Sequence, residues 1–333
     1  MKIWRLDQGV LALRDEPTPN PGPGEVLVAM RAAAINNRDL GIKAGAYPAK
    51  RDVVALSDGA GVVATVGPGV AGWTKGDAVV TCFYPYWESG LASADNHRAS
   101  LGCELDGALA EMAIFPASAL VAKPESLNFA EAATLPCAAL TAWTALFTEG
   151  GLQPGQHVLI QGTGGVALFA LAFAKLAGAE VTILSGSADK LQRAAALGAD
   201  HGIDYNATPE WAPAVLDITN GRGVDLVIEL GGAITLPQST ACVRVGGRIS
   251  LIGVLSGLTA ALPVANMLFR HIVMTGITVG HRQDFLAMNA AIDRHGLKPV
   301  IDRRFALDAA EGAYAALPEG RHFGKLVIEI EVA

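Results

Sequence analysis

Residues 157–168, His-Val-Leu-Ile-Gln-Gly-Thr-Gly-Gly-Val-Ala-Leu, set an apolar run against a glycine turn and a second apolar run. The spacing predicts a buried strand, a tight turn and the start of a helix, the arrangement with which a protein holds a dinucleotide pyrophosphate. Gly162 permits the turn, with Thr163 at its crest, and Gly164 lets backbone approach the phosphates. The helix entered through Gly165 and Val166 directs its partly positive end at them. Ala167 stands where a third glycine is usual, and its methyl is small enough for close helix-to-strand packing. The helix is expected to run to Ala177 and stop at Gly178, with a strand over Glu180–Leu184 following at once.

At 333 residues, 51% apolar and 17% charged, the chain has room for two domains of ordinary size. Its longest apolar stretch, Val166 to Ala174, ends at Lys175. That is far short of the roughly 20 residues that span a bilayer, so no membrane segment is expected. The amino terminus carries Lys2, Arg5 and Asp7 and lacks a secretion signal, which points to a cytoplasmic protein. With a net charge of −7 and no lysine and arginine cluster to track a phosphate backbone, nucleic acid is not an expected partner. Cys82, Cys103, Cys137 and Cys242 are too few and too scattered for a disulfide framework and read as reduced thiols.

Outward from the glycine turn, the texture divides the chain. The first 125 residues alternate glycine and proline turns with short apolar runs, Glu25–Ala34, Asp58–Val66, Asp77–Phe83 and Ala108–Phe115. This predicts a mostly β, partly barrel-like domain. From about Asn128, helical patterns alternate with buried strands at His157–Gln161, Glu180–Leu184, His201–Asp204, Val224–Glu229, Arg248–Gly253 and Thr275–Gly280. Alternation of this kind predicts an α/β fold with a doubly wound parallel sheet. The last fifty residues, with helices near Gln283–His295 and Asp308–Leu317 and strands near Ile301–Phe305 and Lys325–Glu331, are expected to complete the first domain. The predicted division is therefore 1–127 with 282–333, and 128–281.

Several segments in fixed order resemble the medium-chain dehydrogenase/reductase superfamily, specifically its zinc-independent branch of quinone oxidoreductase-like and alcohol dehydrogenase-like proteins. They are Ala34-Ile-Asn-Asn-Arg-Asp-Leu40, Ser57-Asp-Gly-Ala-Gly-Val62, Val66-Gly-Pro-Gly-Val70, Asp106-Gly-Ala-Leu-Ala-Glu111, Gly162-Thr-Gly-Gly-Val166, Ala195-Ala-Leu-Gly-Ala-Asp200 and His322-Phe-Gly-Lys325. The resemblance spans nearly the whole chain and implies a GroES-like catalytic domain beside a Rossmann-type one. Zinc-dependent relatives hold a catalytic metal with a cysteine, a histidine-glutamate pair and a second cysteine. Those positions here carry Asn36, Ser57 with Asp58, and Cys137, so no catalytic zinc is expected. In the lobe that holds a structural zinc elsewhere, only Cys82, His97 and Cys103 remain, with no familiar spacing.

The second strand of the nucleotide domain ends in Ser185-Gly186-Ser187 and lacks the carboxylate that an NAD site places on the ribose. Hydroxyls followed by a cation suit a 2′-phosphate. The resemblance assigns that work to Lys190 and Tyr205, so NADPH is expected over NADH. The alternative is that Lys190 and Arg193 are solvated helix residues and Tyr205 a strand-end aromatic. Gly231, Gly232 and Gly253 follow strands at the sheet's binding edge. Together with Thr141, Val254, Gly280 and Lys325 they complete the expected cofactor contacts. A homodimer paired through the sheet edge near His281 is implied by the resemblance.

For the chemistry, the resemblance points to Asn36, whose amide either donates to the oxygen that gains charge or fixes its own loop. It also points to Tyr47, which either orients or protonates the acceptor or simply packs. Hydride transfer to a quinone or conjugated enone is the expected reaction, since the resulting delocalised anion needs only modest donors. Carbonyl and alcohol interconversion by a zinc-free dehydrogenase is the first alternative. An NADPH-binding structural or sensory protein is the second.

Overall fold

A computed structural model describes residues 1–331. By contacts the chain forms two compact units, Met1–Leu140 with Val279–Ala333, and Thr141–Thr278, residues 332 and 333 lying outside the description. The helical stretch 129–140 falls in the first unit, beyond the predicted division at 127, because its apolar side chains pack on that unit's strands.

The first unit opens with a hairpin, β1 (Lys2–Asp7) and β2 (Val10–Asp15), that the apolar pattern did not announce because charges interrupt it. Its turn, Gln8-Gly9, has both φ angles positive, as a two-residue hairpin turn requires. Next come β3 (Glu25–Ala34), α1 (Asn37–Lys43), β4 (Val53–Val54), β5 (Asp58–Val66), β6 (Ala78–Thr81), β7 (Met112–Pro116), β8 (Leu120–Ala122) and α2 (Phe129–Ala132). The central strand β3 lies between β5 and a strand from the far end of the chain, and β7 also pairs with it. Beneath this sheet, Val26, Val28, Met30, Phe115 and Leu326 share one buried core.

The second unit begins in α3 (Leu140–Trp143) and is built on β9 (His157–Gln161), α4 (Gly165–Leu176), β10 (Glu180–Ser185), α5 (Ala188–Ala196), β11 (His201–Asp204), α6 (Trp211–Ile218), β12 (Val224–Glu229), α7 (Leu236–Cys242), β13 (Val243–Leu251), α8 (Val264–Phe269) and β14 (Val273–Gly276). Its strands run parallel in the order β11-β10-β9-β12-β13-β14. This is the doubly wound order, whose direction reverses between β9 and β12. Every residue of β9 and β12 is buried, as expected of strands covered on both faces.

Several strand bounds differ from the prediction, most of all in β13, which starts at Val243 where Arg248 was expected, and in β14. β13 stops at Leu251, because the N–H groups of Ile252 and Gly253 both donate to the Glu229 carbonyl. β14 occupies Val273–Gly276, not Thr275–Gly280, since its ladder ends where β13 ends. Gly280 and His281 therefore lie in the first unit, where the His281 Nδ1 accepts the Asp284 N–H and caps α9 (Arg282–His295). The chain closes with β15 (Ile301–Ala306), α10 (Ala310–Ala316) and β16 (Lys325–Glu329), and β16 pairs antiparallel with β3.

Candidate functional site

In the second unit the strand-turn-helix stands as the sequence predicts. Gly162 has φ +76° and its N–H donates to the Leu184 carbonyl, tying the turn to the neighbouring strand. Gly164 caps α4 without a side-chain acceptor, and the first turn of α4 carries no acidic residue. Its N–H groups thus have no side chain competing for them, which fits a pyrophosphate. Thr163 is buried at the crest of the turn.

The loops after β12 and β13 lean on each other. A Cβ on Gly253 would lie 1.8 Å from the Leu230 carbonyl oxygen, and one on Gly232, whose φ is +90°, 2.9 Å from the Val254 Cα. A side chain on Gly231 would strike Thr235. Beneath these glycines, the fully buried Glu229 accepts from the Gly231 and Gly232 N–H groups, the Thr235 and Ser239 hydroxyls and the Gln161 amide. Glu229 was missed as a functional residue. A carboxylate ending a strand immediately before Leu-Gly-Gly was the available signal, since such a loop needs an acceptor for its bare N–H groups.

At the end of β10, Ser185 is buried and its Oγ accepts the Ser187 N–H at 3.3 Å. The Ser187 Oγ in turn accepts the Lys190 N–H at 3.4 Å and caps α5. Tyr205 is 45% exposed, and its ring lies so near Gly186 that a Cβ there would be 2.6 Å from it. Glycine at 186 is what brings that ring over the serine turn. Val254 is also half exposed, and Thr141 is buried in α3.

The first unit gathers residues 36, 39, 58, 137 and 325. Antiparallel register pairs Val327 with Ala34, which carries Lys325 opposite Asn36, while Asp58 on β5 pairs with Ala34 from the other side. Lys325 is 4% exposed. Its Nζ donates to the Ile35 carbonyl at 2.8 Å and to the Asn36 Oδ1 at 2.5 Å, and lies 4.0 Å from the Asp58 Oδ2. The sequence reading expected Lys325 to be a cofactor contact; the structure shows it buried, with its ammonium on the Ile35 carbonyl and the Asn36 amide oxygen. Asp58, fully buried, also accepts from the Ser57 hydroxyl at 2.6 Å and the Cys137 N–H at 3.1 Å. Burial, with the Asp58 carboxylate adding to it, pushes the Cys137 thiol up to about 12.

Asn36 begins α1, where the Asp39 Oδ2 accepts its N–H at 2.7 Å. Its side-chain Nδ2 is buried without a hydrogen-bond partner, as is the Asp39 Oδ1. Burial raises the Asp39 carboxyl to about 6, against the opposing pull of Arg38. Arg38 itself donates to the Leu101 carbonyl and the Ser100 hydroxyl. Tyr47, 44% exposed, lays its ring on Gly41 of α1, where a Cβ would come within 2.6 Å.

Residues 22–125 match the family described as alcohol dehydrogenase GroES-like domain, and residues 165–294 the one described as zinc-binding dehydrogenase. A zinc-type alcohol dehydrogenase-like protein of Schizosaccharomyces pombe is 45% identical over 317 residues, 93% of this chain and 92% of that one. The chain belongs to the medium-chain dehydrogenase/reductase superfamily. It is thus an NAD(P)-dependent oxidoreductase with a GroES-like domain and a Rossmann-type sheet. A chloroplastic quinone oxidoreductase of Triphysaria versicolor is 32% identical, over 94% of this chain and 92% of its own. Among solved structures, an NAD-dependent alcohol dehydrogenase superposes with a TM-score of 0.91 at 34% identity, covering 99% of this chain and 100% of its own. A mycobacterial protein complexed with NADPH gives 0.83 at 27%, with 99% of each chain covered.

The family descriptions imply zinc, and the donor set at the end of β3 does not fit it. Catalytic zinc takes three nitrogen, sulfur or carboxylate ligands. Here an ammonium ion is bonded to the amide oxygen and lies 4.0 Å from a carboxylate that already holds a hydroxyl and the Cys137 N–H, and it repels a second cation. Among the described residues no group of three or more His, Cys, Asp or Glu is placed to hold a metal. In the other lobe, the His97 ring lies between Tyr84 and Trp87, with centroids 4.5 and 4.3 Å away, so aromatic packing occupies that side chain. Among the described residues no helix is long and apolar enough to cross a membrane.

Proposed function

We propose that the chain reduces a quinone or conjugated enone with NADPH, without a catalytic metal. The observation that carries this reading is the Asn36 Nδ2, a buried donor lacking an acceptor, beside an ammonium ion at positions where a metal-binding relative needs ligands. Leaving a buried donor unsatisfied costs about 1–3 kcal/mol, and a substrate oxygen that gains charge would satisfy it. One amide donor suffices for a delocalised enolate or hydroquinone anion, whereas a localised alkoxide calls for a stronger electrophile. The names of the Triphysaria relative and of the NADPH-bound neighbour support this class of acceptor and cofactor.

In this reading the first unit is the catalytic domain and the second the dinucleotide-binding one. Bound NADPH supplies the hydride. Gly162–Val166 would hold its pyrophosphate, and Gly231, Gly232, Gly253, Val254 and Thr141 would line it. Ser185, Ser187, Lys190 and Tyr205 would take the 2′-phosphate, with no carboxylate on that turn to repel it. Asn36 donates to the acceptor's oxygen, and Tyr47 covers the acceptor. A homodimer is proposed through the outer strand β14 and the preceding segment, where Leu258 is 88% and Phe269 77% exposed.

Chelator-treated protein is expected to oxidise NADPH faster with quinones and enones than with unconjugated ketones. Turnover that appears only when zinc is restored overturns the reading. So does alcohol-dependent NADP reduction with quinones and enones inactive. Sedimentation tests the dimer, which Phe269→Glu is expected to weaken.

A further inference from the structure

We infer that Lys325 is a positioning residue for the reaction: its ammonium locks the Asn36 amide with oxygen inward, so that Nδ2 is the group presented to the acceptor. The inference rests on the role proposed for Asn36 and adds what fixes that role. Oxygen and nitrogen of a side-chain amide are alike in shape, and only the partners decide which way the group faces. An ammonium ion has three donors and no acceptor, so it admits only the oxygen. At 2.5 Å from Nζ the Asn36 oxygen is held by a charge-assisted bond, and the amide nitrogen is left pointing away without a partner.

The lysine is held in turn. The Ile35 carbonyl takes a second N–H, and Asp58 faces the ion at 4.0 Å, itself anchored by the Ser57 hydroxyl and the Cys137 N–H. β16 places residue 325 opposite residue 36 by register, so the sheet adds its hold on the amide oxygen to the capping box that Asn36 forms with Asp39 in its own loop. The positive charge also draws electron density toward the amide oxygen, which makes the Nδ2 protons better donors to a developing anion.

The test is a double-mutant cycle over Asn36→Asp and Lys325→Met, followed in activity and in thermal stability. Asn36→Asp keeps an oxygen on the lysine but removes the donor. It is expected to lower kcat about 100-fold while leaving Tm unchanged or raised. Lys325→Met frees the amide to rotate and is expected to lower kcat about 10- to 100-fold, with NADPH affinity within about twofold of the parent. The double variant is expected to lose no more activity than Asn36→Asp alone, and Lys325→Arg to recover part of the Lys325→Met loss.

Additive losses in kcat, or an NADPH affinity that falls as far as kcat does, overturn the inference. If Lys325→Met does not fold, Lys325→Met/Asp58→Asn removes the stranded carboxylate and takes its place in the cycle. The stability arm does not depend on finding an acceptor. Asn36→Asp that lowers Tm as much as Asn36→Leu shows that the residues are not paired, whereas a paired Asn36 in a protein inactive with quinones and enones fails only the proposed reaction.

Discussion

The end of β3 and the carboxyl ends of β9, β12 and β13 are built on opposite principles. The first concentrates charge in a buried place, joining Lys325 to Asn36 across 289 residues of sequence. The second removes side chains, so that Gly162, Gly232 and Gly253 bring bare backbone to the surface of the sheet. An ammonium ion can orient one side chain, whereas a row of bare backbone N–H groups suits an anion such as a pyrophosphate. The difference teaches that one unit invests in buried side-chain charge and the other in exposed main chain, as the proposed division between chemistry and cofactor requires.

If that contrast holds, substitutions in the two regions should fail in different ways. Gly253→Val drives a side chain into the Leu230 carbonyl and is expected to cost about 3 kcal/mol or more, read as a fall in Tm together with loss of NADPH binding. Glu229→Gln sets an amide N–H₂ among groups that all donate. A loss of about 2–3 kcal/mol in denaturant unfolding is expected, and a neutral result would show that the glycine loops do not depend on the carboxylate.

Asp39→Asn probes the charged region. Its carboxyl titrates near 6 in the folded chain, above the ordinary 3.8, so the folded state prefers the proton. The parent therefore loses stability from this group as pH rises from about 4 through 6. The asparagine variant should gain on it by about 3 kcal/mol across that window and no further above pH 7. Equal pH profiles for the two proteins would break the argument. The smallest effect is expected from Lys190→Glu, which should weaken NADPH about tenfold more than NADH in a fluorescence titration.

The glycine region was legible because its signal is local. A turn, a cap and a stop within twenty residues announced β9, α4 and β10, and strand boundaries there hold to within a residue. Lys325 could be named from its segment, but not aimed, since its direction depends on the register of β16 against β3. Asp58 was visible only as a metal ligand that fails. Its partners, the Ser57 hydroxyl and the Cys137 N–H, come together only when the sheet and the helical stretch after 128 are both in place. The shortened β14 was hidden for a related reason: a strand ends where its neighbour's ladder does, and no property of its own residues records that.

The sulfur atoms carry one more implication. Burial pushes the Cys103 thiol up to about 11 and those of Cys82, Cys137 and Cys242 up to about 12, which favours the protonated form at neutral pH. Quinones and enones are electrophiles that arylate or alkylate ordinary thiolates. If the proposed acceptors are the substrates, nucleophiles kept protonated would let the chain outlast them, with slow inactivation over many turnovers and little response to iodoacetamide.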